Sequence, residues 1–414
     1  MLHRLYGALF SLVVLLTTLW LPNTPPAPQF SLNHPIHSEP HTVRPELHPV
    51  RPEPVEGQTE PRLQHPQPER ASFLPSAAPS VHAPALAELP DGRIAAAWFA
   101  GSREGAGDVE IVLSHYDPKT DVWSAPHPIA TREQTLQDTQ RSVRKLGNPV
   151  LWTQGNTLSL AYVSAGFGGW AGSSINLSQS IDGGQHWNPA RKLVTSPFFN
   201  LSTLVRTPPL PLADGSVGLP VYHELFTKQG EWLRLSPQGD VLDKTRMPLP
   251  APSLQPAVAT LDSTHALALL RDASPEDGKI QVATTASAGQ HWQAGPPLPL
   301  GNPNASIALL RLDDGPLLLA ANPGSGRDIL ELWLGDATGQ HWEKRRIVDA
   351  PGQTAPPAGL PVSTDLSDAL KASQEASYPA LLQTRDGRIH LAYTWHRQQI
   401  RHLSFDRAWL GGKP

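Results

Sequence analysis

The residues of this chain that could do chemistry gather beside six short apolar runs, each of which carries a proline near its start. Arginines stand at Arg103, Arg271 and Arg397; carboxylates at Glu104, Asp108, Glu224, Asp272 and Glu375; amides at Asn148, Gln255 and Asn304. His82 and Tyr378 each stand within two residues of such a proline. A planar guanidinium matches a carboxylate with two parallel hydrogen bonds, so several converging arginines suit an anionic ligand. Carboxylates supply general acids and bases, and a tyrosine can be a nucleophile. Each candidate has a plainer reading. Glu104 and Asp108 follow Arg103 in a Gly-rich loop and could pair with it. Arg271 and Asp272 could be a blade-to-blade ion pair. Tyr378 could be a packed aromatic, and Arg397, with Arg401 on the same face of its strand, could be a solvated or inter-blade residue.

The elements that must position these residues are repeats. The apolar runs are His82-Ala-Pro-Ala-Leu, Asn148-Pro-Val-Leu, Pro208-Pro-Leu, Gln255-Pro-Ala-Val, Asn302-Pro-Asn and Tyr378-Pro-Ala-Leu. Each leads into an alternating run such as Ile94–Phe99, Leu158–Val163 or Ile389–Trp395. Later in each unit comes a tryptophan turn, best preserved as Ser180-Ile-Asp182-Gly-Gly-Gln-His-Trp187, with worn copies ending at Trp123, Trp292 and Trp342. In that turn the aspartate accepts from nearby backbone N–H groups, the glycines take positive φ and the tryptophan fills an apolar gap. Turn chemistry accounts for these residues, including His186, His291 and His341, without a catalytic role. Residues 81–414 give about 56 residues for each of six units, the length of a four-stranded blade. The expectation is an all-β, six-bladed β-propeller over 81–414, closed near Ile400–Phe405 beside the first blade.

These turns resemble the Asp-boxes of the sialidase superfamily. The chain is similar to the bacterial predicted neuraminidase group with a BNR repeat-like domain, also at Trp98-Phe-Ala-Gly-Ser-Arg103-Glu104 and Leu219-Pro-Val-Tyr222-His-Glu224. The resemblance implies a sialidase-type exo-glycosidase acting on a terminal acidic sugar, with three arginines clamping its carboxylate. It also implies a tyrosine nucleophile helped by a glutamate, and an aspartate as acid and base. On that plan Arg103 and Arg271 are clamp residues and Tyr378 is the nucleophile; the carboxylates Glu375, Asp108 and Glu104 stand in for catalytic acids. His82, Asn148, Glu224, Asn304 and Arg397 are substrate-binding. The chain departs where the plan wants an arginine (His82), an aspartate (Asn148) and a glutamate (Gln255). An asparagine cannot be a general acid, nor a glutamine a base. Two other functions therefore stand beside hydrolysis: elimination on a uronic acid, using His82, His223 and Tyr378, and non-catalytic glycan binding. Arg103, Arg271 and Tyr378 are expected to converge at one end of the tunnel, with Asn148 and Glu375 or Glu224 nearby.

Composition narrows the classes further. The 414 residues carry a net charge of −4, which gives no footprint for nucleic acid. There are no cysteines, hence no disulfide, thiolate metal site or cysteine nucleophile. No metal-ligand spacing or phosphate loop occurs, so no cofactor is expected. Leu5–Leu21 is an uncharged, mostly apolar run after Arg4, read as a signal anchor or signal peptide occupying 1–21. Either places the propeller outside the inner membrane, periplasmic and tethered through residues 5–21, or secreted. Fifteen of the 59 residues in 22–80 are proline, so that stretch reads as a disordered linker.

Overall fold

The computed structural model describes residues 27–32, 68–76, 78–166, 169–196, 202–274, 278–355, 357 and 374–411. They form six antiparallel sheets in a ring, a six-bladed β-propeller. The innermost strands are Ser80–Glu88, Lys145–Gln154, Thr203–Val205 continued by Leu210–Pro211, Ser253–Thr260, Ala308–Arg311 and Ala376–Gln383, in blades 1 to 6. Each pairs with the next strand outward, and alternation lets both faces of the sheets pack against neighbouring blades. Buried clusters run across the blade boundaries, as Leu113 of blade 1 does with Leu158 and Leu160 of blade 2.

The ring closes differently from the sequence expectation. Gln399–Phe405 is the third strand of blade 6, and the fourth is Arg70–Phe73 from the far side of the sequence. It covers a sheet edge that would otherwise expose unpaired N–H and C=O groups. Arg70 also reaches into blade 1, donating to the Tyr116 hydroxyl and the Pro118 carbonyl at 3.0 Å each. The proline-rich stretch therefore supplies a structural strand. A second piece of it docks too: Phe30 bridges Leu212, is 2 % exposed and meets Trp232 edge-on at 6.1 Å. The rest of 22–67 and the apolar run 5–21 lie outside the described residues. Among the described residues no helix is long and apolar enough to cross a membrane.

The tryptophan turns staple the blades, as their residue types imply. Asp182 accepts from the N–H groups of Gln185 and His186 at 3.1 and 3.0 Å, and Trp187 donates to the Gly184 carbonyl at 3.0 Å. Asp336 and Trp342 repeat the pattern in blade 5. In blade 4 Ser287 takes the aspartate's place, accepting from His291 N–H. The histidines have a local part in this: His186 and His341 each bond their own turn's aspartate at 2.7 Å.

The prolines mark a repeated bulge. In blades 1, 2, 4 and 6 two residues of the innermost strand oppose one of its partner, between His82 and Ala85, Gly147 and Val150, Leu254 and Ala257, and Ser377 and Ala380. The residue before each proline has positive φ: Ala83 57°, Asn148 44°, Gln255 52° and Tyr378 54°. L residues rarely adopt this conformation, least of all before proline, and the strain must be held by the surroundings. A bulge re-aims a side chain. Three of these four side chains enter the hydrogen-bonded cluster described next.

Candidate functional site

Starts of innermost strands, ends of second strands and the loops that follow them all fall at one end of the ring. That end collects Lys145 and Asn148 from blade 2, Arg206, Tyr222 and Glu224 from blade 3, and Gln255 and Arg271 from blade 4. Blade 5 adds Asn304 and Arg327, and blade 6 adds Glu375, Tyr378 and Arg397.

Arg271 is the hub. Its Nε donates to Asn304 Oδ1 at 2.6 Å, and its Nη1 donates to Gln255 Oε1 and to the Tyr378 hydroxyl, each at 3.1 Å. None of these acceptors is charged, and the guanidinium has no ion pair among the described residues. Asp272 does not neutralise it. That side chain accepts from Ser274 N–H, Lys279 N–H and Gln281 Nε2 instead. Arg327 lies alongside, donating to the Asn304 carbonyl at 2.6 Å and pairing with Glu375 at 3.4 Å. Arg397 pairs with the other Glu375 oxygen at 2.6 Å and with Glu104 of blade 1. A continuous chain of charge-assisted bonds thus runs from blade 4 to blade 1. Glu375 also accepts from Ser377, and these cations hold its carboxyl below the ordinary range against the opposing effect of burial.

Gln255 fits its place as an amide. It accepts from Arg271 through Oε1 and donates through Nε2 to the Tyr222 hydroxyl at 3.4 Å; a carboxylate could do only the first. Asn148 donates to the same hydroxyl at 3.0 Å. Burial pushes the Tyr222 phenol up, so it stays protonated.

Tyr378 is 8 % exposed and closely surrounded. The His82 ring lies 4.1 Å from its ring centroid, and the guanidinium carbons of Arg206 and Arg327 lie 5.3 and 5.9 Å away. Neither His82 nitrogen has a hydrogen-bond partner among the described residues; desolvation first, and the arginine charges after it, keep this ring neutral. Glu224 is held above the ordinary carboxyl range by burial, opposed by the charges of Arg271, Lys228 and Lys145. Lys145 Nζ lies 4.0 Å over the Trp170 ring, and desolvation lowers its ammonium. Beyond the bulges the innermost strands enclose a tunnel cavity of about 700 Å³ lined by all six blades, with Arg206 among its wall residues.

The structure brings together Tyr378, Arg271, Asn304, Glu375, Arg397 and Glu104, with His82, Asn148 and Glu224 around them. Two expected members stand apart. Arg103 is exposed, and its guanidinium has no partner among the described residues. Asp108 accepts from Ser102 N–H and Oγ at 3.0 and 2.9 Å, which makes it the acceptor that folds its own Gly-rich loop. His223 is not part of the cluster either. Arg327 and Lys145 escaped the sequence reading. Arg327 follows Pro323-Gly-Ser-Gly, an ordinary turn with no chemical signature, and Lys145 precedes its proline by four residues.

Comparison with known proteins agrees with this architecture. The BNR repeat-like domain family matches residues 92–391. No curated protein matches the chain. Among solved structures, the Hadza microbial sialidase Hz136 superposes with a TM-score of 0.64 at 14% identity, over 80% of this chain and 66% of that one. The NanB sialidase from Streptococcus pneumoniae gives 0.60 at 11% identity, over 83% and 71%. An α-L-arabinanase of Penicillium chrysogenum gives 0.56 at 14% identity, over 82% and 99%. At these identities the structural likeness is one of fold, and the chain spans just under two thirds of Hz136. The family match covers most of the propeller, and the chain belongs to the BNR repeat-like domain family of sialidase-fold propellers.

Proposed function

We propose that this protein is a glycoside hydrolase of sialidase type that removes a terminal acidic sugar, sialic acid or a related 2-keto sugar acid, from a glycan. One observation carries the reading: the Arg271 guanidinium, which has no ion pair among the described residues, touches the Tyr378 hydroxyl, with Arg327 and Arg397 linked beside it. Such an array suits a sugar carboxylate placed next to the atom that attacks. In this scheme Arg271 takes most of the carboxylate charge, because Glu375 and Glu104 already neutralise part of the other two. Tyr378 attacks the anomeric carbon as the bond to the leaving oxygen breaks, its phenol proton passing to water; a second water then cleaves the tyrosyl–sugar bond and restores the phenol, and a neutral phenol avoids the repulsion an anionic nucleophile would meet. Glu224, the carboxyl raised by burial, is the proton donor to the leaving group. The apolar run Leu5–Leu21 supports export, with the propeller tethered to the inner membrane or released by cleavage.

A specific observation favours a second reading, glycan binding without turnover. Gln255 occupies the position from which a carboxylate would help the tyrosine, and it is fully engaged as an amide. Elimination has weaker support: His82 is 1 % exposed and packed against Tyr378, so it offers no base to a sugar in the mouth.

The test is incubation of the protein with glycans ending in different acidic sugars, followed by mass analysis. Release of a free acidic monosaccharide supports hydrolysis. An unsaturated uronate absorbing in the ultraviolet assigns elimination, and calorimetric binding with no product assigns the binder.

A further inference from the structure

Arg206 is a buried cation without an anion. It is 3 % exposed and forms no ion pair among the described residues. Desolvation lowers its guanidinium to about 10. Burying an unpaired charge is costly, so a side chain kept there needs a reason. Its bonds supply one. From blade 3, Nη2 donates to the carbonyls of Tyr378 and Pro379 in blade 6 at 2.8 and 3.0 Å, and Nη1 donates to the Pro84 carbonyl in blade 1 at 3.1 Å. All three acceptors belong to the proline bulges of those blades. One of them is the carbonyl of Tyr378 itself, whose φ of 54° is strained. The guanidinium is also 5.3 Å from the Tyr378 ring centroid.

We propose that Arg206 is a positioning residue for the reaction assigned to Tyr378. Reaching across the tunnel, it grips the bulges of blades 6 and 1 and so fixes the tyrosine hydroxyl against Arg271. The proposal rests on the hydrolytic reading for its kinetic part only. A side chain that merely filled the tunnel could be replaced by another of similar length; a strut of hydrogen bonds could not.

The variants are Arg206→Met, which keeps length without donors, and Arg206→Lys, which keeps a charge and a donor head. Each is crystallised and assayed on whichever acidic glycan the wild type cleaves. In Arg206→Met we expect Tyr378 to leave the left-handed region, its hydroxyl to withdraw from Arg271, and kcat to fall about 100-fold. KM should stay within about threefold, and Arg206→Lys should recover at least about tenfold of kcat. Retention of the Tyr378–Arg271 contact in Arg206→Met overturns the proposal, as does a Lys variant no better than Met. If Met does not fold, the Lys structure decides alone: loss of the contact there overturns the strut, and its retention supports it. If the wild type releases no sugar, the hydrolytic reading fails, while the variant structures still decide whether Arg206 holds Tyr378.

Discussion

Arg271 Nη1 meets the Tyr378 hydroxyl at 3.1 Å although 107 residues separate them in sequence. One residue ends the second strand of blade 4 and the other stands in the bulge of blade 6. The contact exists because the ring is closed, and it joins a guanidinium with no ion pair among the described residues to a tyrosine held at positive φ.

Arg271→Ala should therefore remove the affinity for acidic sugars. Hydrogen bonds to a charged group contribute about 1.5–3 kcal/mol each, so the dissociation constant should rise by about 10- to 150-fold or more. Isothermal titration with a free acidic monosaccharide checks this. Affinity within threefold of wild type would show that the carboxylate is not held there.

Tyr378→Phe should leave that affinity within a few fold and stop turnover, since only the hydroxyl is needed for attack. The ring contacts with His82, Arg206 and Arg327 are kept by phenylalanine. Product release by Tyr378→Phe at the wild-type rate would assign the chemistry to a carboxylate.

Much of this was legible in the sequence. The proline-led runs announced six innermost strands, and Asp182-Gly-Gly-Gln-His-Trp187 announced the staple, because turn chemistry is local. The site was legible where a residue stood beside a proline, as Asn148, Gln255 and Tyr378 do, since the bulge itself aims them. Arg327 was invisible because its role depends on Glu375 of the next blade, which no spacing records. Arg103 was placed on the clamp by the resemblance alone, and its exposed side chain has no partner among the described residues. The strand Arg70–Phe73 was hidden in a proline-rich background, and only the open edge of Gln399–Phe405 gives it meaning.

Glu375→Gln should destabilise the fold by about 3 kcal/mol, because it removes the anion between two partly buried arginines. Urea unfolding measures this through the midpoint at constant slope. Glu104 still serves Arg397, so Arg327 is the cation left most exposed to the loss. An unchanged midpoint would mean that solvent already screens the pair.

Gly184→Ala should cost about 1–3 kcal/mol through two effects acting together. Its φ is 96°, and an added Cβ would come within 2.5 Å of Leu113 in blade 1. The carbonyl of this glycine is also the acceptor for Trp187. A melting temperature equal to wild type would show that the seam between blades 1 and 2 yields easily.

Acid should weaken the seam between blades 6 and 1 before it protonates the carboxylates. His390 Nδ1 and His402 Nε2 share a hydrogen bond at 2.9 Å, both residues buried beside Tyr116. Desolvation lowers His390 to about 4, with Asp386 opposing and Arg388 and Arg70 reinforcing; burial and then His390 push His402 down as well. Both values lie below the ordinary 6.5, so between that pH and about 4 the unfolded chain binds protons that the folded one refuses. Stability is therefore greatest above pH 6.5 and falls as the pH drops toward 4, by up to about 1.4 kcal/mol per pH unit for each histidine. Scanning calorimetry across that range should show the melting temperature falling, and His390→Gln with His402→Gln should flatten the slope. A wild-type profile already flat from pH 6.5 to 4.5 would mean that both rings accept protons in place, and that the seam tolerates their charge.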